Sequence, residues 1–143
     1  AHSARLRSSS LRALANLTMH RPNQGPMWSD PSTRAAFLRG AAAGQPREVR
    51  IQACCGLATL CELAGRSAEH RASFEEEGVR TLLRSALDSP ELGAEALSAA
   101  FTGLELLVAD DEEFADDGEG WERQRAEMTL QERVARLRRD WNR

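Results

Sequence analysis

A chain of 143 residues that is 41% hydrophobic and 29% charged has the size of one domain and the composition of a globular protein. A net charge of -3 offers no basic footprint for nucleic acid, and no apolar run approaches the roughly 18 residues that span a bilayer, so neither partner is expected. Aromatic residues make up only 5% and Tyr is missing, while Ala and Leu abound, which points to an all-α fold.

In chain order, the first expected helix covers residues 4–19 and carries Leu11, Leu14 and Leu17 at every third position. Pro22, Gly25 and Pro26 make residues 20–30 an expected exposed loop, in which Met27 and Trp28 either anchor a partner or fold back on the core. Asp30-Pro31 signals a helix at 31–43, and Pro46 opens a long one at 46–65. Within that long helix Cys54, Cys55 and Cys61 form no CxxC pair, so reduced thiols and an intracellular, cytoplasmic or nuclear setting are expected. Cys54 and Cys61 are seven apart on one helix face and belong to the core, while Cys55 points elsewhere.

Shorter helices are expected at 68–76 and 78–88, with Ser73 to Glu76 read as a capping box, and a long one at 90–109 capped by Ser89. Seven carboxylates without an opposing cation make 110–120 an acidic linker. A last helix, 121–142, opens on the capping pair Thr129 and Glu132 and carries Leu130, Val134, Leu137 and Trp141 as one apolar stripe. The domain plan is then 1–109, 110–120 and 121–143. The lack of an initiating Met suggests a piece of a longer protein.

Internal repetition organises these elements. Leu14, Leu60 and Leu104 recur at intervals of 46 and 44 residues, Phe37-Leu38 and Leu82-Leu83 at 45, and Pro46 and Pro90 at 44. Each unit has apolar residues on more than one helix and cannot bury them alone, so neighbours must stack. Ala53, Gly56, Ala64, Ala96, Ala100 and Gly103 allow them to do so closely.

Leu14-Ala15-Asn16-Leu17, the Glu77-Gly78-Val79 turn before Leu82-Leu83, and Leu57, Leu60 and Leu63 resemble the armadillo repeat family and its HEAT relatives over residues 6–108. The resemblance implies a right-handed α-solenoid of about two and a half repeats, the first reduced to its last helix, with a C-terminal helix after it. It also implies a scaffold that holds a peptide or helix of a protein partner on a concave face. The alternative is a regulatory module of a larger protein, such as an exchange factor for a heat-shock chaperone or a myosin chaperone.

On the concave register fall Ser9, Ala13, Asn16 and His20, then Cys55, Thr59, Glu62 and Arg66, then Ala99, Gly103, Leu106 and Asp110. The expected partner-binding residues are Asn16, His20, Thr59, Glu62, Arg66 and Leu106. Family members that clasp peptide backbones repeat an Asn at the position of Asn16, whereas Glu62 and Leu106 stand there in the next units.

No catalytic chemistry, metal or cofactor is expected. His2, His20 and His70 are scattered without a co-ligand at metal spacing, and Asp117-Gly118 fails as a calcium loop because Gln124 stands where a bidentate Glu is needed. Arg133, Arg136, Arg138 and Arg139 beside the last stripe suit either a cap on the repeats or a self-association or membrane-surface element.

Overall fold

The computed structural model describes residues 2–108 together with Glu132, Ala135 and Arg139. Those last three positions are helical; the rest of the helix expected at 121–142, and the linker expected at 110–120, lie outside the described residues. Among the described residues the fold is all-α, with no strand: α1 (His2–Leu17), α2 (Arg21–Ser29), α3 (Pro31–Gly40), α4 (Arg47–Leu60), α5 (Glu62–Arg66), α6 (Ala68–Glu76), α7 (Val79–Leu87) and α8 (Ala94–Val108). A single 3-10 turn, Pro90–Leu92, precedes α8. No helix among them is long and apolar enough to cross a membrane.

The segment at 20–30 is a helix and not the expected loop. Pro22 sits in the first turn of α2, where an amide hydrogen would have no helical partner. Pro26 does forfeit one internal bond, but the same helix buries Trp28 and Gln24, which outweighs it. Trp28 folds inward: its ring meets Phe74 edge to face, centroids 4.1 Å apart, and its indole N–H donates to the Ser73 hydroxyl at 3.0 Å. The Arg34 guanidinium lies over the indole, 5.8 Å from its centroid, and donates to the Trp28 carbonyl at 3.1 Å.

Other boundaries also move. Asp30 caps α3 as expected, accepting from the Thr33 hydroxyl at 2.6 Å and from the Thr33 N–H at 2.9 Å, and these two bonds, the hydroxyl's first, hold its carboxyl below the usual range. Ser73, by contrast, lies inside α6; the cap is Ser67, which accepts from the His70 N–H at 3.3 Å. Ser89 caps nothing, since its hydroxyl donates to the Ser85 carbonyl at 2.9 Å and accepts from buried Arg50 at 3.3 Å. The chain enters α8 through Gly93, whose φ of 92° favours glycine. Finally, the helix expected at 46–65 breaks at Cys61 into α4 and α5.

Packing explains why small residues recur. α4 lies between α1 and α8, while α3 packs on α4 and α7 on α8. A β-carbon on Gly56 would enter the ring of Phe37, and one on Gly103 would come within 2.9 Å of Leu83 and 3.0 Å of the Ala58 backbone. The same contact is therefore made twice, with Phe37 and Leu83 46 residues apart and Gly56 and Gly103 47 apart. This interval exceeds the 44 residues from Leu60 to Leu104 by two to three residues, which brings Leu60 level with Leu107, the next buried leucine of the stripe. Leu104 and Leu107 are both buried, so apolar residues match in either register and only the contacts choose between them.

Candidate functional site

Where α1, α4 and α8 lie side by side they leave two adjoining hollows. The first, about 500 Å³, is lined by Arg12, Asn16 and Met19 from α1 and its end, by Ile51, Gln52, Cys55 and Thr59 from α4, and by Glu95 and Ala99 from α8. The second, about 350 Å³, continues from it over Ala58, Thr59 and Glu62 to Ser98, Ala99, Thr102 and Leu106. Thr59, Glu95 and Ala99 belong to both, so the two form one groove across three helices. Its floor is made of Ala15, Ala58 and Ala99, because close helix approach selects small side chains.

The polar lining is differentiated. The hydroxyls of Thr59 and Thr102 donate to the carbonyls of Cys55 and Ser98, each at 3.0 Å, which leaves their lone pairs as acceptors toward the groove. The side-chain amides of Asn16 and Gln52 make no hydrogen bond among the described residues, so both donors and acceptors remain available there. Arg12 and Glu95 bring opposite charges to the first hollow; burial, and then the Glu95 carboxylate, push the half-buried Cys55 thiol above its ordinary pKa.

Of the expected binding residues, Asn16, Thr59, Glu62 and Leu106 do line this groove. His20 and Arg66 line neither hollow: His20 is exposed at the start of α2, and Arg66 donates to the Gln24 side-chain oxygen Oε1 at 2.7 Å. Glu62 is also committed, because its carboxylate accepts from Gln24 Nε2 at 3.2 Å and stands 3.8 Å from Arg66 and 3.9 Å from Arg21. The buried Gln24 side chain, which also donates to the Thr18 carbonyl at 2.9 Å, thus fastens α2 to α5 and to the end of α1. Gly103 is not on the surface at all but beneath Leu83, and Asp110 lies outside the described residues.

Sequence reasoning missed Glu95, Gln52 and Ile51. Extending the α8 stripe back one turn from Ala99 reaches Glu95, so that residue was within reach; Gln52 and Ile51 flank the stripe and depend on how the helices cross. Among the described residues no cluster of three or more His, Cys, Asp or Glu could hold a metal ion. Comparison with known protein families, with curated proteins and with solved structures finds no match for this chain.

Proposed function

We propose that this chain is a protein-interaction module, about two and a half armadillo-like repeats wound as a right-handed α-solenoid, whose groove receives an extended peptide or a helix of a protein partner. The observation that carries it is the groove across α1, α4 and α8, floored by alanines and bordered by the uncommitted amides of Asn16 and Gln52. A floor of small residues lets another backbone approach closely, and unengaged amides supply the directional bonds that fix its register. The solenoid reading is supported by the packing contact that recurs after 46 to 47 residues, as stacked repeats require. Three free thiols suit a reducing compartment, the cytoplasm or the nucleus.

Peptide-display selection on the full chain tests the proposal. Peptides enriched on it should lose at least tenfold in affinity on Thr59→Arg or Ala99→Arg, which fill the groove without entering the core. Selected peptides that bind these variants as well as the parent would place recognition elsewhere.

A further inference from the structure

Leu11 and Ala15 are buried where α1 packs on α4. Leu6, Ser10, Ala13 and Leu17 form a different stripe of α1, stepping by four, three and four residues, exposed throughout and not part of the groove. The 47-residue interval sets these four at the positions of Ala53, Leu57, Leu60 and Ala64, and a second interval sets the first three at Ala100, Leu104 and Leu107. All of those later residues are at most 2% accessible, beneath the helices packed on α4 and α8, whereas Leu6 is 69% and Leu17 52% accessible. The face that twice receives a helix is open on α1.

Beside this stripe α1 and α3 border a hollow of about 470 Å³, with Leu6, Leu14 and Ala36 as apolar lining and Arg7 and Arg39 bringing charge from the two helices. Arg5 and Arg7 each neighbour Leu6 and so lie about 100° to either side of it around the helix. Arg7 donates to Gln45 Oε1 at 2.6 Å, while Arg5 and Arg39 make no hydrogen bond or ion pair among the described residues. Residues 1–47 hold seven arginines and a single acid, Asp30, which is engaged in capping α3, although the whole chain carries a net charge of -3. This end of the molecule is therefore basic and apolar at once.

We propose that it receives an acidic amphipathic helix of a protein partner, whose apolar side chains settle on Leu6, Leu14 and Leu17 and whose carboxylates meet Arg5, Arg7 and Arg39. Helical form follows from what covers the equivalent stripes of α4 and α8, and from Leu6 to Leu17 the stripe runs about 17 Å, three turns of helix. Guanidinium groups take carboxylates in paired, directional bonds, so acids beside the apolar side chains add both affinity and orientation. A symmetric dimer through this face would oppose like charges. Nucleic acid would find no stacking surface, because Trp28 and Phe37, the aromatic residues of this third of the chain, are buried. A bilayer is flat, whereas the hollow between α1 and α3 is concave. The inference stands on α1 and α3 and not on what the groove binds.

Selection of displayed helical peptides on the full chain reads the result, with leucines fixed at i, i+4, i+7 and i+11 and the other positions random. Enriched helices should carry an excess of Asp and Glu, lose at least tenfold in affinity on Leu17→Asp or Arg39→Glu, and bind Thr59→Arg as well as the parent. Both substituted residues are exposed, so the variants should unfold at the parent's temperature. No enrichment, enrichment without the acidic excess, or full affinity for Arg39→Glu would overturn the proposal. Helices lost on Thr59→Arg alone would belong to the groove. Phosphatidylserine vesicles bound by the parent and not by Leu6→Asp would assign the face to a membrane, and a parent dimer dissolved by Leu17→Asp would assign it to a second copy.

Discussion

The ring of Phe37 occupies the space that a side chain on Gly56 would need, with two of its carbons 2.9 Å from the site of a β-carbon. Alanine is ordinarily the better helix former by about 1 kcal/mol, but overpacking a closed core costs about 1–3 kcal/mol and the ring has nowhere to go. Gly56→Ala should therefore lower the unfolding free energy by up to about 2 kcal/mol. Gly44, on the exposed turn before α4 with nothing near its β-position and no positive φ, should do the reverse, Gly44→Ala gaining about 0.5–1 kcal/mol. Urea unfolding of the two variants checks the contrast; shifts of the same sign would remove the steric account.

Trp28 is the clamp between α2 and α6. Trp28→Ala should cost about 3–5 kcal/mol, the range for deleting a buried aromatic. Trp28→Phe keeps a ring against Phe74 but loses the indole donor, so its smaller cost should be non-additive with Ser73→Ala. A double-mutant cycle that closes to zero would show that the 3.0 Å bond contributes nothing.

The all-helical class, the small residues between helices and the inward turn of Cys54 and Cys61 were legible, because helical periodicity alone assigns a face to each residue. The same periodicity brought Asn16, Thr59 and Leu106 to one surface. α2 was not legible: Pro22, Gly25 and Pro26 argue locally for a loop, and what overrides them is the pocket that Phe74 and Ser73 make for Trp28, 45 and more residues away. With α2 unseen, Gln24 was unseen too, and Glu62 and Arg66 passed for free surface charges. The repeat register slipped by two to three residues for a related reason, since leucines recur on successive turns and only the contacts of Gly56 and Gly103 distinguish them.

The engagement of Glu62 gives a further expectation. Glu62→Ala removes one of the partners of a fully buried amide, so it should cost about 1–2 kcal/mol and loosen α2. Thr59→Arg, on the open groove, should leave stability within about 0.5 kcal/mol. Thermal unfolding separates the two, and equal losses would mean that the Gln24 clasp is not holding α2.

Alkaline pH isolates the thiols, because the chain has neither Tyr nor Lys and its arginines keep their protons. Burial pushes Cys54 from 9.0 up to about 11, offset in part by Arg50, and raises Cys61 as well. Above about pH 9 the unfolded chain ionises these groups while the folded chain retains the protons, so stability that is fully present below pH 9 should fall as pH rises toward 11. For Cys54 alone the loss should reach about 2–3 kcal/mol. Unfolding midpoints at pH 8, 9.5 and 11 should trace the fall, and Cys54→Ala should flatten it; an unaltered slope in that variant would assign it elsewhere.

Cys55 sits half-buried in the wall of the groove, whereas its two sisters are sealed in the interior. An alkylating dye offered to the native molecule should thus enter by one door, slowly because that sulfur parts reluctantly with its proton. Anything lodged beside it would shut that door, so the pace of labelling becomes a built-in gauge of occupancy that needs no engineered tag.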